Sequence, residues 1–256
     1  MKKRVTCILA CVLVISTIIP LMALAASNAA ILDKLKLSDV KKYDVALPTN
    51  GTKKTEKQIE DLIKKIPNKP SGKGNTNYWY SLSFNRLNLN KPGNYEWANV
   101  SKQWYKHTDK TKKSFSYTEI RRLTDTKAGI YCYIDKYDTK NGNSYSWIKG
   151  QKTGDHYTWK IETNNNNTLK PLNFKLYPDA TVLGEKCMVC SYEYKDSYGM
   201  YTIYRFISKN TRQYIKYISV GPDYIYTSID FEQKLVDKAD SFFDPPKDVK
   251  FTTYKY

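Results

Sequence analysis

The chain has 256 residues with a formal net charge of +17, and 14% of its residues are aromatic, including 23 tyrosines. Disordered chains are poor in aromatic residues, so this composition excludes disorder for most of the chain. The positive charge can attract nucleic acid, anionic lipid or cell-wall polymer. It can equally reflect a Lys-, Asn-, Tyr- and Ile-rich composition whose charge only keeps the protein soluble.

Residues 1–25 have the pattern of a secretory signal peptide. Lys2, Lys3 and Arg4 precede an uncharged apolar stretch, which ends in the small-residue site Ala23-Leu24-Ala25. This order predicts cleavage after Ala25 and a secreted, extracytoplasmic protein. One alternative is a retained membrane anchor, because about 20 apolar residues can span a bilayer. Another is lipid modification at Cys11, for which the preceding apolar region is short. For an exported protein we expect an anionic cell-wall polymer or a membrane surface as partner, and no nucleic acid.

Residues 26–77 form a basic N-terminal segment that differs from the rest of the chain. Thr55 to Gln58 is a capping box, and apolar residues follow at helical spacing from Ile59 to Ile66. This pattern predicts a short amphipathic helix that packs on the remainder of the protein. A second short helix is predicted around Ile31 to Leu35, and residues 68–77 read as a linker because they are rich in Pro, Gly and Asn.

From Tyr78 to the end of the chain the hydrophobic period changes to 2, which is typical of β-strands. Nine or ten short strands are separated by turn signals, which indicates an antiparallel meander in a β domain of residues 78–256. A sheet of that size must curl or fold to bury one face. The predicted turns are 138–143, 164–167, 195–199, 208–211 and 221–223.

Three cysteines remain after residue 25, namely Cys132, Cys187 and Cys190. Export permits a disulfide, and the simplest arrangement pairs Cys132 with Cys187 or Cys190 and leaves one free thiol. Cys187 and Cys190 have C-x-x-C spacing, but they lie in a strand-like run where such positions point to opposite faces. A metal site is therefore not expected.

We find no motif of a nucleophilic, phosphate-binding or metal-dependent enzyme, and no cofactor is predicted. His107 lies in a polar turn and His156 at a strand start, where surface roles are common. A carboxylate pair cannot be recognised from spacing, since such partners meet through the fold. A non-enzymatic protein is therefore predicted, and a hydrolase is the less favoured class. Exposed tryptophans could serve a cell-wall or polysaccharide-binding module; the candidates are Trp79, Trp97, Trp104, Trp147 and Trp159.

The C-terminal third resembles the bacterial lipoprotein-carrier (LolA-like) superfamily. The similarity rests on Gly184 before a strand, on the strand-turn-strand unit from Tyr204 to Lys216, and on the closing segment from Ser241 to Val249. Phe206 stands where a tryptophan is common in that superfamily. The resemblance implies an α+β fold: mostly antiparallel β, in a half-open curved barrel with one or two short N-terminal helices. Several members bind lipid or acyl chains on the concave face, which helices cover.

These observations together predict a secreted or cell-envelope binding protein that holds a lipid or other apolar ligand in the concave face of a curved sheet. The alternative is the polysaccharide-binding module. The residues expected to line the ligand site are Tyr204, Phe206, Tyr214 and Ile218.

Overall fold

The structure is a computed structural model that describes residues 30–86, 93–161 and 170–255. Thirteen strands form one sheet. The predicted α+β class is confirmed, because the sheet is large, curved, unclosed and mostly antiparallel, with few short helices. The strands are β1 (Thr52–Lys53), β2 (Thr76–Arg86), β3 (Tyr95–Thr108), β4 (Lys113–Arg122), β5 (Ile130–Tyr137), β6 (Asn141–Ile148), β7 (Thr153–Lys160), β8 (Leu172–Val182), β9 (Glu185–Lys195), β10 (Met200–Ser208), β11 (Tyr214–Val220), β12 (Ile225–Val236) and β13 (Lys250–Lys255).

Two meanders make up the sheet, whose strand order is β1-β8-β9-β10-β11-β12-β2-β3-β4-β5-β6-β7-β13. Strands β2 to β7 and strands β8 to β12 each pair in chain order, and β12 joins the two meanders by pairing with β2 over most of its length. All pairs are antiparallel except β13, which lies parallel to β7. The long β12–β2 pairing places the last strand of the second meander beside the first strand of the first meander.

The strand count of nine or ten was too low, because β1, β3, β6 and β13 carry weak sequence signals. The turn predicted at 138–143 is shorter than expected, since β6 begins at Asn141. The Asp138 carboxylate accepts hydrogen bonds from the backbone N–H groups of Lys140 and Asn141, which closes the turn early. The other predicted turns at 195–199, 208–211 and 221–223 lie between strands, and the turn at 164–167 falls outside the described residues.

One face of the sheet, here called the core face, carries the main apolar core. Its buried residues include Leu82, Phe84, Ile218 and Ile229. Two short helices lie over part of this core, α1 (residues 30–34) and α2 (Leu37–Val40). Apolar residues of the two helices and of the link between them complete the core cluster; they are Leu32, Leu35 and Val40.

Farther along the core face a row of aromatic rings crosses the first meander, β2 to β7. Trp104 stacks on Tyr117 with ring centroids 5.3 Å apart, and Tyr117 stacks on Trp147 at 6.2 Å. The 3-10 helix Asp240–Phe243 covers this row, because the Phe242 ring contacts both Trp104 and Tyr117. Offset and edge-to-face contacts of this kind add to the stabilisation from burial.

The predicted amphipathic helix is confirmed as α3 (Glu56–Lys65), and Thr55 and Gln58 form the predicted capping box. Ile59 and Ile66 are buried against residues of β9 and β10 that include Cys190 and Ile207. These partners point away from the core face, so α3 lies on the opposite face of the sheet from α1 and α2. Helix α3 consequently does not contribute to the helical cover that the superfamily resemblance implied.

The described part of the N-terminal segment is joined closely to the sheet. Strand β1 pairs with β8 at one edge, and β2 begins at Thr76, inside the predicted linker. The predicted signal peptide, residues 1–25, lies outside the described residues. Within the described ranges, no helix has the length and apolar character needed to cross a bilayer.

Candidate ligand-binding site

A cavity of about 560 Å³ lies on the core face, between residues 42–49 and the strands of the second meander. This volume falls within the ~300–1,000 Å³ range of small-molecule sites. Most of the wall is apolar or aromatic, as is typical of such sites. The lining residues are Lys42, Tyr43, Val45, Ala46, Pro48, Thr49, Tyr177, Pro178, Ala180, Thr181, Val182, Leu183, Val189, Phe206, Lys216 and Ile229.

One wall of the cavity is an irregular stretch of β8. The pairing of β8 with β9 shifts register between Tyr177 and Ala180, around Pro178. Proline has no backbone N–H and is tolerated in strands chiefly at edges and bulges. The strand then turns tightly into β9 through Leu183 and Gly184, which both have positive φ. This bulge and turn bring a series of small apolar side chains to the cavity.

The opposite wall is the extended segment 42–49, which ionic and polar contacts hold against the sheet. Arg86 lies 3.3 Å from the buried Asp44 carboxylate, and the Tyr95 hydroxyl donates to the same carboxylate at 3.2 Å. The Lys216 ammonium donates to the Tyr43 carbonyl at 3.3 Å. The segment is therefore attached at two successive residues, while its neighbours Val45, Ala46 and Pro48 are free to face the cavity.

Lys216 is the most unusual residue of the wall. It is only 4% exposed, and its ammonium nitrogen lies 5.6 Å from the centre of the Phe206 ring. Burial lowers the pKa of Lys216 to about 8, and the charge of Asp44 opposes this shift only partly. Among the described residues, no carboxylate forms an ion pair with Lys216. The carboxylate whose charge acts on it, Asp44, pairs with Arg86 instead. Buried lysines are normally paired, so this ammonium is a potential ligand for an anionic group.

The four residues predicted to line the ligand site occupy different positions in the structure. Phe206 lines the cavity. Ile218 is buried in the apolar cluster behind it, and Tyr204 packs at the border of that cluster with its ring 5.7 Å from Tyr177. Tyr214 does not line this cavity: it is 45% exposed on the opposite face, where its ring lies near Arg205.

A β-bulge places Tyr214 on the face opposite to the cavity. Phe206 pairs with Lys216, but Ile207 pairs with Tyr214, so the ladder skips one residue of β11. A bulge of this kind reverses the alternation of side chains on one strand. The side chains of Lys216 and Ile218 therefore point to the core face, and that of Tyr214 points to the opposite face.

Sequence reasoning missed three parts of the site: segment 42–49, the irregular stretch of β8, and Lys216. Segment 42–49 is distant in sequence from the strands that it covers, and no periodicity marks it. The sequence did mark Lys216. It lies two residues before Ile218 in a strand-like run, so its side chain is expected on the same face as that of Ile218. A charged residue at a core position of a strand warrants a functional hypothesis.

The structure does not contain the predicted disulfide, since Cys132, Cys187 and Cys190 are all buried free thiols. Cys132 lies on β5 and the other two on β9, with six strands between them in the sheet order. Cys187 packs in the core-face cluster and Cys190 under α3, so the C-x-x-C pair points to opposite faces. Within the described residues, no group of His, Cys, Asp and Glu is arranged to hold a metal ion.

His107 has two polar neighbours that resemble a catalytic arrangement. Its Nδ1 lies 2.8 Å from the Ser114 hydroxyl and its Nε2 lies 3.3 Å from the Asp109 carboxylate. Ser114 is only 3% exposed, however, and Asp109 is almost fully exposed in the β3–β4 turn. A substrate cannot reach a buried hydroxyl, so this contact stabilises the hairpin. His156 stacks on Tyr145 with a centroid distance of 4.1 Å.

The five tryptophans do not form one exposed row. Trp104 and Trp147 belong to the aromatic row of the core face. Trp97 lies against Tyr226 on the opposite face, with centroids 5.8 Å apart, and the Trp159 ring occupies the space above Gly142. All five are half-buried.

Comparison with known proteins adds little to this geometry. No protein-family model matches the sequence, and no curated protein is significantly similar to it. Among solved structures, the chain is similar to a DUF1329 family protein from Desulfovibrio piger, with 10% identity and a TM-score of 0.34. The similarity covers 73% of this chain and 93% of that one. Similarity at this level assigns no function.

Proposed function

We propose that this chain is an extracytoplasmic, non-enzymatic binding protein that holds a lipid or another apolar ligand in the cavity between segment 42–49 and strands β8–β12. The observation that carries the proposal is the cavity itself, with its mostly apolar wall and its volume of about 560 Å³. The export pattern in residues 1–25 and the resemblance to the lipoprotein-carrier superfamily support the same interpretation.

The energetics of such a site are favourable without any catalytic group. Burial of an acyl chain yields roughly 0.8 kcal/mol per methylene, so a chain of eight buried methylenes gains about 6 kcal/mol before the entropic costs of binding. Phe206, Val189 and Ile229 offer apolar contact from the sheet, and Val45 and Pro48 offer it from the segment. The segment is attached at Tyr43 and Asp44, so a movement of residues 45–49 would open the cavity.

Native mass spectrometry of the protein purified from its own secretion tests the proposal directly. We expect a bound species of defined mass that is lost on unfolding and that can be extracted and identified. Ala180→Phe places a ring in the cavity wall and should abolish this species. Ala128→Phe makes the same change in the β4–β5 turn, outside the cavity, and should retain it.

A ligand-free mass, with no uptake of added lipids, would contradict the proposal. The alternative is then a polysaccharide-binding module, for which the opposite face offers neighbouring rings. Tyr226 lies 5.8 Å from Trp97 and 6.0 Å from Tyr217. Binding to purified cell-wall polymer that is lost in Trp97→Ala would establish that alternative, because sugar rings stack on aromatic faces.

A further inference from the structure

The charges buried under segment 42–49 do not balance. Among the described residues, two cations and one anion are buried there, since Arg86 and Lys216 are accompanied only by the Asp44 carboxylate. Arg86 and the Tyr95 hydroxyl already contact that carboxylate. One positive charge in excess therefore remains in a largely apolar environment, which is costly unless an anion accompanies it.

The excess charge resides on Lys216 and faces the cavity. Its ammonium has three N–H donors, of which the described residues satisfy one, through the Tyr43 carbonyl. Phe206, Val189 and Ile229 line the cavity beside Lys216 and add no charge. Lys42 also lines the cavity, but its ammonium is exposed and pairs with Asp39 at 2.8 Å. The cavity thus combines one buried cationic group that has no ionic partner among the described residues with a wall suited to a hydrocarbon.

We propose that the ligand is a long-chain carboxylate, whose carboxyl group pairs with the Lys216 ammonium while its hydrocarbon chain occupies the cavity. This inference rests on the proposed function and adds the chemical class of the ligand. A monoanion neutralises the one excess charge, whereas a phosphate monoester would bring almost two negative charges to a site with one unpaired cation. Charge-assisted hydrogen bonds of this kind are short and strong in a water-poor site.

Three amphiphiles with the same hydrocarbon chain and different head-group charges distinguish the contribution of the charge from that of the chain. They are dodecanoate, dodecanol and dodecylammonium. Binding to the delipidated full-length secreted protein is measured by titration calorimetry at neutral pH. We expect dodecanoate to bind about 10- to 100-fold more tightly than dodecanol, the range given by one hydrogen bond to a charged group. Dodecylammonium should bind more weakly than dodecanol.

Lys216→Met removes the charge and keeps a long apolar side chain. In this variant we expect the affinity for dodecanoate to fall about 10- to 100-fold and the affinity for dodecanol to be unchanged or higher. Lys195→Met makes the same substitution at an exposed lysine outside the cavity and should bind all three probes as the unmodified protein does.

A second measurement keeps the test decisive if Lys216→Met fails to fold. NMR of the Lys216 side chain in the unmodified protein reports its titration with and without ligand. Dodecanoate should raise the pKa of Lys216, and dodecanol should lower it or leave it unchanged. The pKa of Lys216 also depends on the charged and titratable groups around it, which are Lys42, Tyr43, Asp44, Arg86, Tyr95 and Tyr177.

The outcomes distinguish the two proposals. Equal affinity for dodecanoate and dodecanol, unaffected by Lys216→Met, would overturn the carboxylate assignment and leave the apolar-ligand proposal intact. Failure of all three probes to bind would overturn both. An alkyl phosphodiester of equal chain length that competes better than dodecanoate would assign the cation to a lipid head group of that kind and would also overturn the carboxylate.

Discussion

At the scale of single residues, Lys216 shows a conflict between folding and binding. Its burial reduces the stability of the ligand-free protein, because the charged form has lost its water. Among the described residues it gains in return one hydrogen bond to a carbonyl and a contact with the Phe206 ring. Lowering the pKa from 10.5 to about 8 corresponds to about 3 kcal/mol. A buried lysine with this cost is explained if a bound ligand supplies the negative charge that the site lacks.

This conflict predicts that Lys216→Met stabilises the ligand-free protein at pH 7 by about 1–3 kcal/mol. Between pH 8 and 10.5 the unfolded chain still binds the proton that the folded lysine has released. The unmodified protein should therefore gain stability across this window, and the difference from Lys216→Met should shrink. Urea unfolding at several pH values measures the difference. A constant difference from pH 7 to pH 10.5 would mean that Lys216 is not buried as a cation.

The three free thiols make a second residue-scale prediction. Burial raises the pKa of Cys187 to about 12 and that of Cys190 to about 11, and it also raises the pKa of Cys132. Since the thiolate is the reactive form, none should react with a thiol reagent in the native protein at neutral pH. After unfolding in denaturant without reductant, all three should react in the mature chain. A count of one thiol would show that two of these cysteines form a disulfide after all.

At the scale of elements, α1 and α2 are too short to be stable alone, because helix nucleation is costly. The sheet supplies their missing hydrogen bonds. The Arg121 guanidinium donates to the carbonyl of Leu32 at 2.6 Å and to that of Leu35 at 3.1 Å. The Tyr80 hydroxyl donates to Asp33 at 2.6 Å. These contacts hold the apolar residues of both helices over the core.

Arg121→Met should therefore loosen α1 and α2 while leaving the sheet folded. Loss of charged hydrogen bonds to two carbonyls costs roughly 2 kcal/mol, so amide exchange in residues 30–40 should become about 30-fold faster. Arg122→Met is the matched control, because its neighbouring guanidinium lies over the Tyr131 ring on the opposite face. Hydrogen-exchange mass spectrometry measures both variants. Equal protection in the two variants would contradict the role assigned to Arg121.

Helix α3 illustrates how an element can be predicted while its position is not. Its cap, its length and its apolar stripe follow from residues 55–66, and the structure confirms them. Its docking on the face opposite to α1 and α2 depends on Met188, Cys190 and Ile207, which lie more than a hundred residues away. Arg212 in the β10–β11 turn donates to the carbonyls of Lys64 and Ile66 and fixes the end of the helix.

At the scale of the whole molecule, the net charge of +17 adds an electrostatic attraction that is independent of the cavity. We expect the protein to bind anionic vesicles at low salt and to be released as the ionic strength rises from about 0.05 to about 0.5 M, since the Debye length then falls severalfold. Co-sedimentation with anionic and zwitterionic vesicles measures this attraction. Salt-independent binding to both vesicle types would contradict a charge-driven contact and point to apolar insertion.

The same net charge does not by itself identify a ligand. Most of the lysines are exposed, and several form surface ion pairs such as Lys152–Asp248 and Lys209–Asp179. Pairs of this kind contribute little to stability. Lys216 differs from them because it is buried without an ionic partner, and the specific recognition that we propose depends on that difference.

The local structure of this protein follows from its residue pattern. The change of period at residue 78, the turn residues and the capping box at Thr55 were sufficient to predict most strands, helix α3 and an α+β class with a large antiparallel sheet. Such features depend on neighbours a few residues apart, and alternation or helical spacing records them directly. Strands such as β6, where polar residues occupy half-buried positions, escaped this signal.

The residues of the candidate site, in contrast, are brought together by long-range contacts in the folded chain. The cavity needs segment 42–49 to lie over strands that begin at residue 172, and that contact arises from the pairing of β12 with β2. The bulge in β11 removed Tyr214 from the core face and left Lys216 on it. Long-range pairing and a one-residue change of register alter which side chains meet, yet they leave no periodic trace in the chain.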